Sequence, residues 1–187
     1  MLILAAARQE LGDLEGEVVG VGPIVAAARA AEILARQKPS RVVLVGTAGA
    51  YPGGPAIGSA VASSRVGLSY GVAAMGLGYV PRAPRDIPAD PDLLARLHIE
   101  PHAVLTVGAV TTDPTLARRL ADGWTVEHLE AFAVAYACQR AGVPFVAVLG
   151  IASKVGPDAH MQWLEHREAA QAAARAAVAP LLTGEPG

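Results

Sequence analysis

At 187 residues the chain has the length of one domain with a substantial core, and its formal net charge of −2 advertises no nucleic-acid-binding surface. A single cysteine, Cys138, excludes a disulfide framework within the chain. The apolar runs are too short and too interrupted to span a membrane, and the start M-L-I-L-A-A-A-R-Q-E lacks the basic region and long apolar core of a signal peptide, so a cytoplasmic protein is expected.

Leu2 to Ala6 reads as a short buried strand, with Arg8, Gln9 and Glu10 at its carboxyl end. From the residues alone Glu10 is an ordinary acid near a helix start. Glu17 to Val21 reads as a second strand, and Gly22-Pro23 opens an amphipathic helix to about Gln37. Gly20-Val21-Gly22 is not a dinucleotide fingerprint, because Val25 stands where a third glycine would be and no suitable acid follows the next strand. Arg41 to Gly46 predicts a third strand running into the Gly-rich loop Gly46-Thr47-Ala48-Gly49-Ala50. Such a loop is either a plain turn or a place where backbone N–H groups and a close-approaching ligand meet.

Ile57 to Val66 alternates as a further strand, and the Gly- and Pro-rich Gly67 to Asp86 reads as a loop that Tyr70, Met75 and Tyr79 pack down. Asp90 before Pro91 predicts a capped helix to Leu97. His102 to Gly108 predicts a strand, followed by Ala109 to Asp113, with Asp113 capping a helix from Pro114. Trp124 is assigned to core packing. The carboxylates Glu127 and Glu130 then lead into an Ala-rich helix, Ala131 to Ala141, closed by Gly142 and barred from continuing by Pro144. Cys138 falls inside it as a buried, inert thiol. Phe145 to Ile151 is uncharged and β-rich, as a buried parallel strand is, and it stops at polar Ser153 and Lys154. Met161 to about Leu181 predicts a long helix over one face of the sheet, and Gly184 to Gly187 a frayed tail after a single domain spanning 1–183. The five histidines are scattered without a zinc motif, so neither metal nor cofactor is expected.

Two consecutive segments carry a resemblance. Val126 to Ala131, V-E-H-L-E-A, resembles the V-E-x-M-E-G/A signature of nucleoside phosphorylases and nucleosidases, with Leu129 in the Met position. V-P-F-V-A-V-L-G-I-A-S-K-V-G is similar to the strand that follows in that family, V-P-[strand]-I-S-[D/N]-x-V-G, whose I-S-N-R-V-G form is typical of futalosine hydrolases. The resemblance implies an α/β fold, a three-layer α/β/α sandwich around a central mixed, mostly parallel sheet. Ala6 to Glu10 matches an A-x-x-x-E pattern in which the acid activates the attacking water. Gly46 to Ala50 is similar to the family's G-[S/T]-A-G-G loop, which places Thr47, Ala48 and Gly49 near the base. Thr106 to Thr111, T-V-G-A-V-T, is similar to a T-V-x-x-V-T stretch of futalosine hydrolases, which implies purine contact at Thr111. Leu129 and Glu130 fall at the ribose, and Lys154 takes the basic position of S-N-R-V-G. Ser59 departs from the usual I-G-D pattern, and the region before Gly22 is shortened.

Ser153 departs from the family too. Methylthioadenosine/adenosylhomocysteine nucleosidases have Asp there and enzymes for 6-oxopurines generally Asn. A serine is far too weak an acid to protonate adenine, but its hydroxyl donates a hydrogen bond. An early G-x-P-x-R phosphate loop is not visible, which favours water as nucleophile over phosphate. The resemblance therefore implies a futalosine hydrolase-like nucleosidase releasing hypoxanthine, with Glu10 and Ser153 catalytic. A methylthioadenosine/adenosylhomocysteine nucleosidase, a purine nucleoside phosphorylase and a non-catalytic nucleoside-binding relative stand as alternatives. It also implies a small-molecule nucleoside as partner, no nucleic acid or membrane, and a homodimer or higher homo-oligomer.

Overall fold

A computed structural model describes residues 1–183; the predicted tail, Gly184 to Gly187, lies outside the described residues. In chain order the elements are β1 (Leu2–Ala5), α1 (Arg8–Leu11), β2 (Glu17–Val18), α2 (Pro23–Gln37), β3 (Val42–Ala50), β4 (Ala60–Leu68), α3 (Gly71–Ala74), β5 (Ile87–Pro88), α4 (Pro91–Arg96), β6 (Pro101–Thr106), α5 (Pro114–Leu120), β7 (Val126–His128), α6 (Ala131–Ala141), β8 (Phe145–Lys154) and α7 (Ala159–Leu182). The strands form one mixed sheet, with parallel pairs outnumbering antiparallel ones.

The run Phe145–Lys154 explains the architecture. β8 is flanked on both sides, parallel to β3 and antiparallel to the start of β4, so it has no free edge. Helices also pack on both of its faces, so its residues have to be apolar on both. Phe145, Ala147, Leu149 and Ile151 join one core cluster, which takes in Ala26, Ala30 and Ile33 of α2 and Phe132 and Ala135 of α6. Val146 and Val148 join a second, with Leu93 of α4 and Val178 and Leu181 of α7. The sheet is thus covered by helices on both sides. At Gly150 the helix α7 comes so close that a Cβ would fall inside the van der Waals envelope of the Ala170 carbonyl. The pairings β3–β8, β8–β4, β4–β6, β6–β7 and β7–β3 also close a ring, so the sheet curls back on itself rather than staying open.

The helix signals behave as their chemistry requires. Asp90 and Asp113 accept hydrogen bonds from the backbone N–H of Leu93 and Leu116 at 3.0 and 2.7 Å. Gly142 is left-handed at φ 68°, and the N–H of Val143 returns to the Cys138 carbonyl at 2.9 Å, which ends α6.

Three local expectations are corrected. Tyr70 and Tyr79 do not pack the 67–86 segment down, being 48% and 85% exposed. Gly46 to Ala50 is not a loop: β3 continues to Ala50, because β7 and β8 both pair with its end. Glu127 does not open a helix. Val126–His128 is the short strand β7, held between β3 and β6, and only Glu130 stands at the N-cap position of α6.

Candidate active site

The ends of β1, β3, β7 and β8 meet the start of α7 around one cavity of about 420 Å³, a size suited to a small-molecule ligand. Seven of the nine residues singled out from the sequence line it: Glu10, Thr47, Ala48, Gly49, Leu129, Glu130 and Ser153. Gln9, Glu127, His128, His160, Trp163 and Gln171 join them.

Glu10 is buried, and both its oxygens are engaged. Oε2 accepts from the N–H of Ala6 and Ala7 at 3.1 and 3.2 Å. Oε1 accepts from the N–H and hydroxyl of Thr47 at 3.0 and 3.3 Å. Burial pushes the carboxyl above its ordinary value, against the pull of His128 and of the backbone donors. The Thr47 hydroxyl accepts in turn from Trp163 Nε1 at 3.0 Å, so α7 is tied through Thr47 to Glu10.

Glu130 is held from across the fold. Its Oε1 accepts from the N–H of Gly22, at the start of α2, at 2.7 Å. Burial raises its pKa, and that backbone donor lowers it in part. Oε2 lies 3.3 Å from His128 Nδ1. That distance would make an ion pair only with a charged imidazole, and burial pushes His128 down to about 4. The contact is therefore between a carboxyl and a neutral ring at neutral pH. His128 Nδ1 accepts instead from the N–H of Glu130 and Ala131 at 3.0 and 3.1 Å.

Glu127 also lines the cavity but is committed to the fold, as Oε2 accepts from the Tyr51 hydroxyl at 2.9 Å and Oε1 from the Thr111 N–H at 2.9 Å. Ser153 is the opposite case. It is 6% exposed, yet among the described residues its hydroxyl has no hydrogen-bond partner. Its direction follows from a bulge. β3 and β8 pair Ala48 with Ile151 and then Gly49 with Ser153, skipping Ala152, and such a bulge re-aims the side chains beyond it.

Two sequence-predicted residues are not brought onto the cavity. Thr111 is buried beside it and contributes its N–H to Glu127, while its neighbours Val110 and Thr112 face the space. Lys154 turns away, its ammonium donating to the carbonyls of Pro55 and Gly54 at 2.5 and 3.4 Å. A lysine at a strand end reads as a ligand contact in sequence, but here it secures the β3–β4 connection.

Sequence reasoning missed His128 and Trp163. His128 fills the variable position of the V-E-x-M-E pattern and so reads as a spacer. Trp163 sits in a helix that reads only as a cover for the sheet. The signal available for His128 was its place between two acids on a segment rich in polar groups.

Among the described residues, no group of three or more His, Cys, Asp or Glu could hold a metal ion, and no helix is long and apolar enough to cross a membrane.

Comparison with known proteins gives the family. Residues 16–183 match the phosphorylase superfamily. Over its whole length, and 96% of the relative's, the chain is 32% identical to futalosine hydrolase of Thermus thermophilus. Over 86% of the chain and 78% of the relative it is 28% identical to 5′-methylthioadenosine/S-adenosylhomocysteine nucleosidase of a Marinomonas species. The fold superposes on the Neisseria meningitidis enzyme of that second kind, a structure in complex with methylthio-immucillin-A, with a TM-score of 0.83, 19% identity and 97% of each chain covered. With its carboxylates gathered on one cavity at the strand ends, the chain belongs to the phosphorylase superfamily and, within it, to the nucleosidases that act on N-glycosyl bonds.

Proposed function

We propose that the chain hydrolyses the N-glycosidic bond of futalosine, releasing hypoxanthine, in menaquinone biosynthesis in the cytoplasm. The observation that carries this reading is the convergence of Glu10, Glu130 and the unpartnered hydroxyl of Ser153 on one cavity. Glycosidic cleavage gives the ribosyl group oxocarbenium character. A carboxylate that accepts from the ribose hydroxyls holds the sugar and offsets the developing charge, and Glu130, anchored by Gly22, has one oxygen left for that task. Glu10 is the base that positions and deprotonates water, a contribution worth roughly 10²–10⁴-fold. Ser153 donates to the departing purine, at O6 or N7.

Two further observations support the substrate assignment. Identity to futalosine hydrolase extends over the full chain. A serine in place of an aspartate removes the acid that an adenine leaving group requires and suits a 6-oxopurine, which leaves more readily as a hydrogen-bonded anion. Water is preferred to phosphate as nucleophile because three carboxylates line the cavity and, among the described lining residues, no lysine or arginine offsets them. The similarity to methylthioadenosine/adenosylhomocysteine nucleosidases supports an adenine nucleoside as the second reading. Leu129 packs at the ribose, and Thr47, Ala48 and Gly49 form the wall beneath base and water. A homodimer or higher homo-oligomer is the working assembly.

The test is base release from futalosine, inosine and methylthioadenosine, each with and without phosphate. Hypoxanthine from futalosine, independent of phosphate, is expected. Adenine from methylthioadenosine alone would establish the second reading. Phosphate-dependent release from inosine would make the protein a phosphorylase, and no release from any would leave a nucleoside-binding protein.

A further inference from the structure

His128 has a role that its position in the sequence hides. Its ring is 4% exposed, and Nδ1 accepts two backbone N–H groups, from Glu130 and Ala131. A nitrogen that accepts cannot carry the proton, so the ring is locked as the neutral Nε2–H tautomer. Nε2 makes no hydrogen bond within the described residues and lies on the wall of the cavity. Glu10 Oε1 faces the same spot. A Cβ on Gly46 would meet Glu10 Oε1 at 3.2 Å and His128 Nε2 at 3.3 Å, so both groups close over the bare backbone of Gly46 without bonding to each other. The charged or titratable groups around the ring are Glu10 from α1, and Glu130 from the start of α6.

We propose that His128 is a catalytic residue that holds the attacking water as donor partner to Glu10, an inference that rests on the nucleosidase reading above. A water that donates one proton to Glu10 and accepts from Nε2–H has a single lone pair left to point at the anomeric carbon. As the C–N bond breaks, its oxygen bonds to that carbon, Glu10 takes its proton, and the base leaves with the electron pair. His128 transfers no proton; it fixes direction. Two backbone donors hold the imidazole still, so no ordering remains to be done when the water arrives.

Two substitutions separate this role from the capping of α6 by the same ring. In His128→Asn the amide oxygen takes the place of Nδ1 and keeps the Glu130 and Ala131 N–H groups satisfied, but nothing reaches the water. In His128→Gln the amide nitrogen takes the place of Nε2, and the cap is lost. We expect His128→Asn to keep its melting temperature while kcat on futalosine falls about 10- to 100-fold with KM little changed. His128→Gln melts earlier yet retains more of kcat than His128→Asn. A merely structural role gives the reverse order, activity following stability. Full kcat in His128→Asn, or activity that tracks melting temperature across the pair, overturns the proposal. So does a 15N spectrum of the free enzyme at neutral pH that shows the proton on Nδ1. If the wild type cleaves none of the three nucleosides, the nucleosidase reading itself falls and takes this one with it, an outcome distinct from an active wild type with an indifferent His128.

Discussion

Tyr51 and Glu127 form a buried pair beneath the cavity: the fully buried phenol donates its proton to Glu127 Oε2 at 2.9 Å. Burial and the adjacent carboxylate push the phenol's pKa far up, so it remains a donor at every working pH. The other carboxylate oxygen accepts the Thr111 N–H. Glu127 is therefore the joint between β7, the end of β3 and the segment before α5.

Tyr51→Phe removes the donor and leaves Glu127 Oε2 buried without a partner. Such a loss costs about 1–3 kcal/mol. The expected outcome is a lower urea midpoint with an unchanged slope, and activity per folded molecule close to wild type. An unchanged midpoint would mean that Oε2 finds water instead.

Glu130 is the contrasting carboxylate, with one oxygen held and the other open to a ligand. Glu130→Gln keeps the acceptor for Gly22 and removes the charge, so turnover should collapse while the fold survives. Glu127→Gln should do more damage to stability and less to kcat. If Glu127→Gln abolishes turnover and Glu130→Gln does not, the assignment of the ribose ligand across V-E-H-L-E is off by one carboxylate.

Both Glu10 and Glu130 have pKa values raised by burial, and this fixes the sign of two pH effects. Glu10 loses its function as a base when protonated, so the acid limb of kcat/KM should lie above the ordinary glutamate range. For stability, a carboxyl whose folded pKa exceeds the unfolded one binds its proton more tightly in the native state. Its contribution is present below the unfolded pKa and is lost as pH rises through the folded value. Relative to wild type, Glu130→Gln should therefore gain stability as pH rises through that window. Denaturant midpoints for the two proteins across mildly acid to neutral pH read this directly; parallel curves would show that Glu130 titrates normally.

β8 and α6 are legible in the sequence because each is specified locally. An uncharged run between Pro144 and Ser153, and an Ala-rich run closed by Gly142, admit few other readings. The three residues of β7 are not, since nothing in Val126–His128 announces two flanking strands, and the acids beside them suggest a helix start. The glycines of Gly46 to Ala50 suggest a turn but serve close approach within a strand, to Glu10 and His128 at Gly46 and to Val155 at Gly49. Lys154 shows the limit of reading by position. Its position suggests a ligand contact, but its ammonium is held by the carbonyls of Gly54 and Pro55, and the residue does not line the cavity.

Gly150 offers a test of the fold. A Cβ there meets the Ala170 carbonyl, backbone against backbone, so neither side can yield by rotating a side chain. Gly150→Ala should cost at least the 1–3 kcal/mol typical of overpacking, even though alanine is the better strand residue in isolation. A neutral change in melting temperature would place α7 farther from β8 than described.

Ser153 is where the two substrate readings diverge most. The bulge at Ala152 sends its hydroxyl toward the cavity, and no described residue occupies it. A neutral hydrogen bond contributes about 1 kcal/mol net, which is roughly fivefold in rate if it acts on the departing base. Ser153→Ala should therefore slow futalosine cleavage modestly and not abolish it. Ser153→Asn supplies an amide that can serve both O6 and N7, so activity is kept or raised. Ser153→Asp supplies the acid that adenine needs, and cleavage of methylthioadenosine should appear where the wild type shows little. Base release by the three variants on both nucleosides makes the measurement. With an active wild type and no variant changing either rate, Ser153 does not touch the purine, and the preference for a 6-oxopurine must come from another wall of the cavity.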